Sequence, residues 1–487
     1  MSRYKTVTNL LACLILVVAT LRAATFWAAD PMLAYANSYD QMRTLKPFGL
    51  YLKGSSYPPY LGPVEQPWRY FIKADEQHAP THPSSDLLFK ALQIGVMTMF
   101  RTSDGVMDIK NAAAPLLIGW LLGIWLIFRK LTAKPLAALG FAVWILWVAD
   151  PINLMFLNTW YAEFSALVLT TLFVGIVWMW LFELVSQRRA LLWGAVCLAL
   201  ISFNRNQYMF LLPSVALLVA VALILSRPRS TRLAASWAQW ALIATACMLP
   251  TLAYNAAAKK HMYVETATNR VDTVFVALLP ASKNPDRMLE RLGLPPECMQ
   301  FMGESLYTRP IPEFETHCPK SMRLPLLSIA KAVALEPGCL ATIIWNIAQH
   351  HKGFLQHHVG HVEGADYVYI DTSDGIRPYH QSINPLIQGL SARAAVLLIY
   401  FAALGPVLTT LAAWALKQGR WAFMFLLNGL LFNYALFSSI LGDGYMELER
   451  HAILCFNSGA LFLVLLVIFA MQHKKPSVSG HPSDLRD

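Results

Sequence analysis

The chain has 487 residues, 56% of them hydrophobic and only 14% charged, with a net charge of +10 and a mean hydropathy of +0.44. Soluble proteins carry about 25% charged residues, so a water-soluble fold could not cover this much apolar side chain, and disordered, collagen-like and disulfide-scaffold classes fall with it. Fifteen Trp, 18 Tyr and 25 Phe fit an all-α polytopic membrane protein, because aromatic rings collect where hydrocarbon meets headgroup.

Crossing a bilayer takes about 20 apolar residues. Runs near that length predict about ten spans, at 8–28, 112–128, 135–149, 163–183, 190–203, 208–225, 237–253, 391–416, 421–441 and 452–471. The organisation expected is an anchor span (1–29), a first outer loop with membrane-surface helices (30–111), a six-span core (112–253), a second outer segment (254–390), a three-span core (391–471) and a tail (472–487). Lys and Arg mark orientation through the short loops. The termini and one set of alternating short loops hold fifteen, and the opposite short loops hold only Arg205 and Arg450. Both termini are therefore expected in the cytoplasm of a bacterial inner (cytoplasmic) membrane, with 30–111 and 254–390 outside. The basic charge then serves orientation, and no nucleic-acid partner is implied. Arg22, near the end of the first span, is expected to snorkel to the interface.

In the first outer segment, residues 86–100 read as an apolar surface helix with Asp86 in its first turn. In the second, DRMLERL (286–292) reads as a short helix stopped by Gly293 and Pro295, and 326–350 as a helix interrupted at Pro337 and Gly338. Cys298 and Cys318 lie in this segment, where a bridge between them is conceivable.

Four constellations carry chemistry. NSYDQMR (37–43) places Asp40 shortly after the first span with Arg43 one turn away, which suits a proton acceptor or a solvated surface pair. GDGYMELERH (442–451) crowds Asp443, Glu447, Glu449, Arg450 and His451 into ten residues between apolar helices. Charge at membrane depth is costly and usually functional; Arg450 with His451 suits a lipid phosphate, and a plain polar hairpin is the alternative. In FNRNQY (203–208), Arg205 reads as an anion contact or a helix-end cap. In NTWYAEF (158–164), Glu163 and Tyr161 suit sugar hydroxyls, although interfacial aromatics also serve as plain anchors. The histidines of HHKGFLQHHVGH (350–361) lack partners at recognised zinc spacing, so no metal site is assigned. No P-loop, Rossmann fingerprint, GxSxG elbow or HExxH occurs.

An anchor span, an outer loop that opens with an acid, surface helices and then many spans together resemble the GT-C glycosyltransferases, integral membrane enzymes that use polyprenyl-phosphate sugars. NSYDQMR, NTWYAEF and GDGYMELERH look like segments of bacterial members linked to surface-polysaccharide assembly. The resemblance implies a catalytic acid at Asp40, acting as base or metal partner, and phosphate contacts at Arg450 and His451 with Arg205 second. It fixes no cofactor and leaves a divalent cation open. The expected partners are a polyprenyl-phosphate-linked sugar, a glycan, lipid or protein acceptor, and membrane lipids. A flippase or exporter of lipid-linked sugars would share the bundle but should show acids and bases within its spans; a polysaccharide polymerase or ligase would share the chemistry.

Overall fold

The computed structural model describes residues 2–34, 41, 44–54, 69–73, 84–225, 249, 252, 263–306, 308–350, 361–363, 382–445 and 448–473. Its helices are α1 (Ser2–Ala28), α2 (Asp86–Met99), α3 (Ile109–Leu131), α4 (Pro135–Val148), α5 (Glu163–Leu181), α6 (Gln187–Asn204) and α7 (Leu211–Leu225). After these come α8 (Tyr263–Val271), which runs into a π-helix at Asp272–Leu278, then α9 (Pro285–Leu292), α10 (Leu326–Ala334) and α11 (Pro337–His350). The chain returns to the bundle with α12 (Ala392–Ala415), α13 (Gly419–Asp443) and α14 (Ile453–His473).

Among the described residues six helices are long and apolar enough to cross a membrane, namely α1, α3, α5, α12, α13 and α14, or seven if the bent pair α10–α11 is counted as one span. This is fewer than the ten expected. Helix α4 has 14 residues, which at 1.5 Å per residue is about 21 Å against roughly 30 Å of hydrocarbon. Helix α6 opens on Arg188 and Arg189 and ends on Asn204, which dilutes its apolar run, and α7 is likewise short. The span expected at 237–253 lies outside the described residues apart from two isolated positions.

The bundle is sorted by side. On α1, Ala12, Leu16, Ala19, Ala23 and Phe26 are buried at helical spacing, and Leu10, Leu14 and Leu21 are exposed; the second stripe is the one that meets lipid. Helix α1 packs on α4, α4 on α14, α14 on α13 and α13 on α12, while α3, α5 and α6 close the other side. Close approach depends on small residues. A Cβ on Gly140 of α4 would lie 2.1 Å from Ile468 of α14.

Helix α2 is inverted relative to a soluble helix. Asp86, Lys90, Gln93 and Met97 are buried against the bundle while Leu88 and Leu92 are exposed. Arg22 does not simply snorkel. Its guanidinium pairs with Asp150 at 3.3 Å, and Asp150 also accepts from Ser382 Oγ at 2.8 Å and from the Ile383 N–H at 3.1 Å.

Two small sheets tie the long segments together. β1 (Leu33–Ala34) pairs antiparallel with β5 (His361–Val362), and β2 (Leu50–Leu52), β3 (Tyr70–Lys73) and β4 (Met107–Asp108) form a second sheet in that order. Arg69, just before β3, meets Asp108 at 2.9 Å, Glu363 at 2.7 Å and Asp30 at 3.3 Å. In the later segment α9 forms as expected. Asn284 caps its start by accepting from the Arg287 N–H, and Gly293 ends it at φ 70°, a conformation that favours glycine. Cys298 and Cys318 are disulfide-bonded, and the stretch 326–350 divides at the expected break into α10 and α11, bent by 99°.

Candidate functional site

Helices α5, α6, α13 and α14 end together on the side of the bundle that carries the two long segments, and their termini bring most of the singled-out residues into one cluster. Glu163 opens α5 and is 1% exposed. A buried carboxylate needs partners at that depth. Two guanidiniums reach it. Arg205, immediately after α6, donates to Glu163 Oε1 through NH1, and Arg450 Nε lies 3.3 Å from the same oxygen. Arg450 sits in the turn Leu448–His451 before α14, and its guanidinium lies over the Tyr161 ring at 4.9 Å, a favourable cation–π geometry.

His451 extends the cluster. Its Nε2 is 3.3 Å from Arg450 NH2 and 3.7 Å from Asp443 Oδ2. Its Nδ1 meets Gln207 Oε1 at 2.6 Å. The ring is thus held on both nitrogens, which fixes its orientation beside the guanidinium. Gly444, which ends α13 at φ 60°, is required because a Cβ there would lie 2.6 Å from the Asp272 carbonyl oxygen.

A second buried pair lies behind Glu163. Lys90 and Asp86 of α2, four residues apart, are 3.7 Å from each other and almost fully buried. Lys90 also donates to the Tyr161 carbonyl at 3.2 Å and lies over Trp160 at 5.8 Å. Burial pushes the Lys90 ammonium down from its usual range, opposed by Asp86 and then by Glu163. Asp86 accepts from Ser165 Oγ at 2.6 Å, and Ser165 Oγ accepts from Asn204 Nδ2 at 2.9 Å. A polar chain therefore joins α2 to α5 and to the end of α6, beside Arg205. Sequence reading assigned Asp86 only to a helix start and passed over Lys90. The signal available was an acid–base pair at i, i+4 on an apolar helix, and nothing local shows that this face is the buried one.

Arg205, Arg450, His451, Glu163, Tyr161 and Asp443 therefore come together, although they come from three separate motifs. Glu447, and the side chain of Glu449, lie outside the described residues, as do Asp40 and Arg43. The neighbours of Asp40 in sequence reach the cluster. Gln41 Oε1 accepts from the Trp160 N–H at 3.2 Å, and Thr44 Oγ1 donates to the Trp160 carbonyl at 3.0 Å. Among the described residues no group of three or more His, Cys, Asp or Glu side chains could hold a metal ion. Of the histidine run, residues 351–360 lie outside the described set.

The fold and this cluster define a multi-pass, mostly helical membrane protein. A family model described as the YfdI N-terminal transmembrane domain matches residues 2–322, and the chain belongs to that family. The match takes in Glu163 and Arg205 but stops before Arg450 and His451. Comparison with curated proteins and with solved structures gives no match.

Proposed function

We propose that the chain is a membrane glycosyltransferase of GT-C type, moving a sugar from a polyprenyl-phosphate donor to a glycan, lipid or protein acceptor at the outer face of a bacterial cytoplasmic membrane. The observation that carries this reading is the convergence of Arg205 and Arg450 on Glu163, with His451 against Arg450, at the lipid-level end of the bundle. Guanidinium forks and an imidazole are suitable donors for a phosphate. The disulfide in the second long segment supports an oxidising compartment on that side, in agreement with the charge bias of the loops.

The chemistry is modest. The acceptor oxygen attacks the anomeric carbon, the bond from that carbon to the phosphate oxygen breaks, and the lipid phosphate departs with the electron pair. Arg450, Arg205 and His451 take up its charge. The acceptor proton passes to the base, which this reading assigns to Asp40. Tyr161, Glu163, Asp443, Glu447 and Glu449 are the residues assigned to sugar hydroxyls, and Glu163 has the further task of holding both arginines until the phosphate arrives. No step is routed through a metal ion.

The test uses purified protein with radiolabelled polyprenyl-phosphate sugars. Arg450→Ala should raise the donor requirement by about 10- to 150-fold, the equivalent of about 1.5–3 kcal/mol for a charged hydrogen bond, and Arg450→Lys should rescue only in part because a fork becomes a point charge. Donor binding unchanged in Arg450→Ala would remove the phosphate site from this cluster. Flippase activity is the second reading, and the Arg22–Asp150 pair near the end of a span is the feature that favours it. Translocation of the lipid-linked sugar without any transfer to acceptor would establish that reading instead.

A further inference from the structure

The α10–α11 elbow presents apolar side chains to the outside along its whole length. Leu327 is 80% exposed, Leu335 56% and Trp345 38%, and Pro325, Ala330, Ala334, Pro337 and Ala341 are exposed between them. In water such a strip would be an aggregation hazard. Its opposite side is well packed. Ile329, Ala332 and Val333 of α10 and Cys339, Ile343, Ile344 and Ile347 of α11 are buried.

Charge is distributed to match. Between residues 325 and 350 the sequence holds one acid, Glu336, and one ammonium, Lys331. Glu336 stands at the bend itself but is turned inward. It pairs with Arg291 of α9 at 2.7 Å and accepts from Ser282 Oγ at 2.8 Å and from the Lys283 N–H at 2.9 Å. The exposed strip therefore carries no negative charge, while Lys331 is exposed and available to headgroups.

The position of the elbow says what covers it. Helix α11 packs against α12, a span whose own outward face, Leu397, Phe401, Leu404, Leu408 and Leu411, is exposed to lipid. Asn346 of α11 also donates to the Tyr445 hydroxyl at the end of α13, at 3.3 Å. The elbow thus stands beside a span with an apolar outer face, at the end of the bundle where the long segments emerge.

We infer that the α10–α11 elbow is seated in the lipid bilayer, with Leu327, Leu335 and Trp345 in the boundary between headgroups and acyl chains and Lys331 among the headgroups. The 99° bend then lets α10 lie along the membrane while α11 leans on α12. An apolar strip that carries a Lys on one helix and a Trp on the next is suited to that boundary. The elbow anchors the disulfide-bearing subdomain to the membrane, whatever reaction the Glu163 cluster serves.

Cysteines placed one at a time at Leu327, Leu335 and Ala341, in a background with the free Cys13, Cys197, Cys339 and Cys455 replaced by alanine, would carry a fluorophore in vesicles of phosphatidylethanolamine and phosphatidylglycerol. Leu404→Cys gives the lipid reference and Asp286→Cys the aqueous one. Brominated lipid should quench the three elbow positions at least half as strongly as position 404, and iodide should quench them weakly. Iodide quenching equal to that at position 286 would overturn the inference and leave the strip to a protein partner. If a labelled variant fails to fold, unmodified protein exposed to a lipid-soluble carbene and to hydroxyl radicals gives the same decision: carbene on Leu327 and Leu335 supports the seat, and radical oxidation there refutes it.

Discussion

Glu163 and Arg69 each stand at the centre of a knot of charge, one with two cations around an acid and the other with three acids around a cation. Their surroundings differ. Glu163 is almost fully buried at the end of the helix bundle, whereas Arg69 is 18% exposed and one of its partners, Asp30, is 76% exposed. Around Arg69 the chain gains a fastening. Asp30 follows the first span, Asp108 caps α3, and Glu363 directly follows β5 and also accepts from the Met32 N–H at 3.1 Å, so three distant segments meet at one side chain. Around Glu163 the same bonding takes place where desolvation is most expensive, although apolar side chains could pack those helix ends without that cost. Ionic groups in such a place are what the proposed function uses to meet a phosphate.

The largest effect should come from cutting the buried knot. Glu163→Gln keeps the shape and leaves the buried Arg450 and the partly exposed Arg205 without their carboxylate, a loss of up to about 3–5 kcal/mol by analogy with other broken buried pairs. Glu163→Asp should lose less because a carboxylate remains. Thermal unfolding in detergent reads both. A Glu163→Gln protein that melts with the wild type would show that the guanidiniums do not depend on this acid.

Cutting the exposed knot should cost less and respond to salt. Arg69→Ala removes charged hydrogen bonds worth about 1.5–3 kcal/mol at most, reduced because its partners are partly solvated. The effect should be local. Limited proteolysis should cut near residues 361–363 sooner than in wild type, and high salt should bring the wild type toward the variant. A salt-independent loss as large as that of Glu163→Gln would erase the distinction between the two regions.

The sequence made elements legible and left partners hidden, and these two knots show why. Apolar runs located α1, α3, α5, α12, α13 and α14 because a span is a local property of about 20 residues. Gly293 likewise ends α9, and Pro337 and Gly338 open α11 at the break after α10. Ten spans were expected against six or seven among the described residues, because an apolar run was counted whatever its length, as at 135–149, where α4 has 14 residues. Arg205, Arg450 and His451 could be named because charge is conspicuous beside apolar helices. That they meet at Glu163 could not be read, since 42 residues separate Arg205 from Glu163 and only packing closes the gap. Arg22 shows the same limit. Its partner Asp150 is 128 residues away, so the local reading of a snorkelling side chain missed it.

Asp272 sharpens the comparison because it is a buried acid with no cation paired to it among the described residues. It begins the π-helix and is fully buried, and no hydrogen bond of normal geometry reaches either carboxyl oxygen. Burial pushes its pKa up to about 7, opposed only by the backbone N–H of Leu306. The folded protein therefore holds this proton more tightly than the unfolded chain, whose Asp titrates near about 3.9. Stability from this group is complete below that value and declines as pH rises to about 7, then stays level. Asp272→Asn removes the titration, so melting temperature should fall less between pH 5 and pH 7 than in wild type. The two proteins should melt closest together at about pH 4, where Asp272 is protonated in the fold, and the variant should melt higher by pH 7. An unchanged slope in the variant would mean that Asp272 is ionised in the folded protein, and that a buried acid here needs no cation at all.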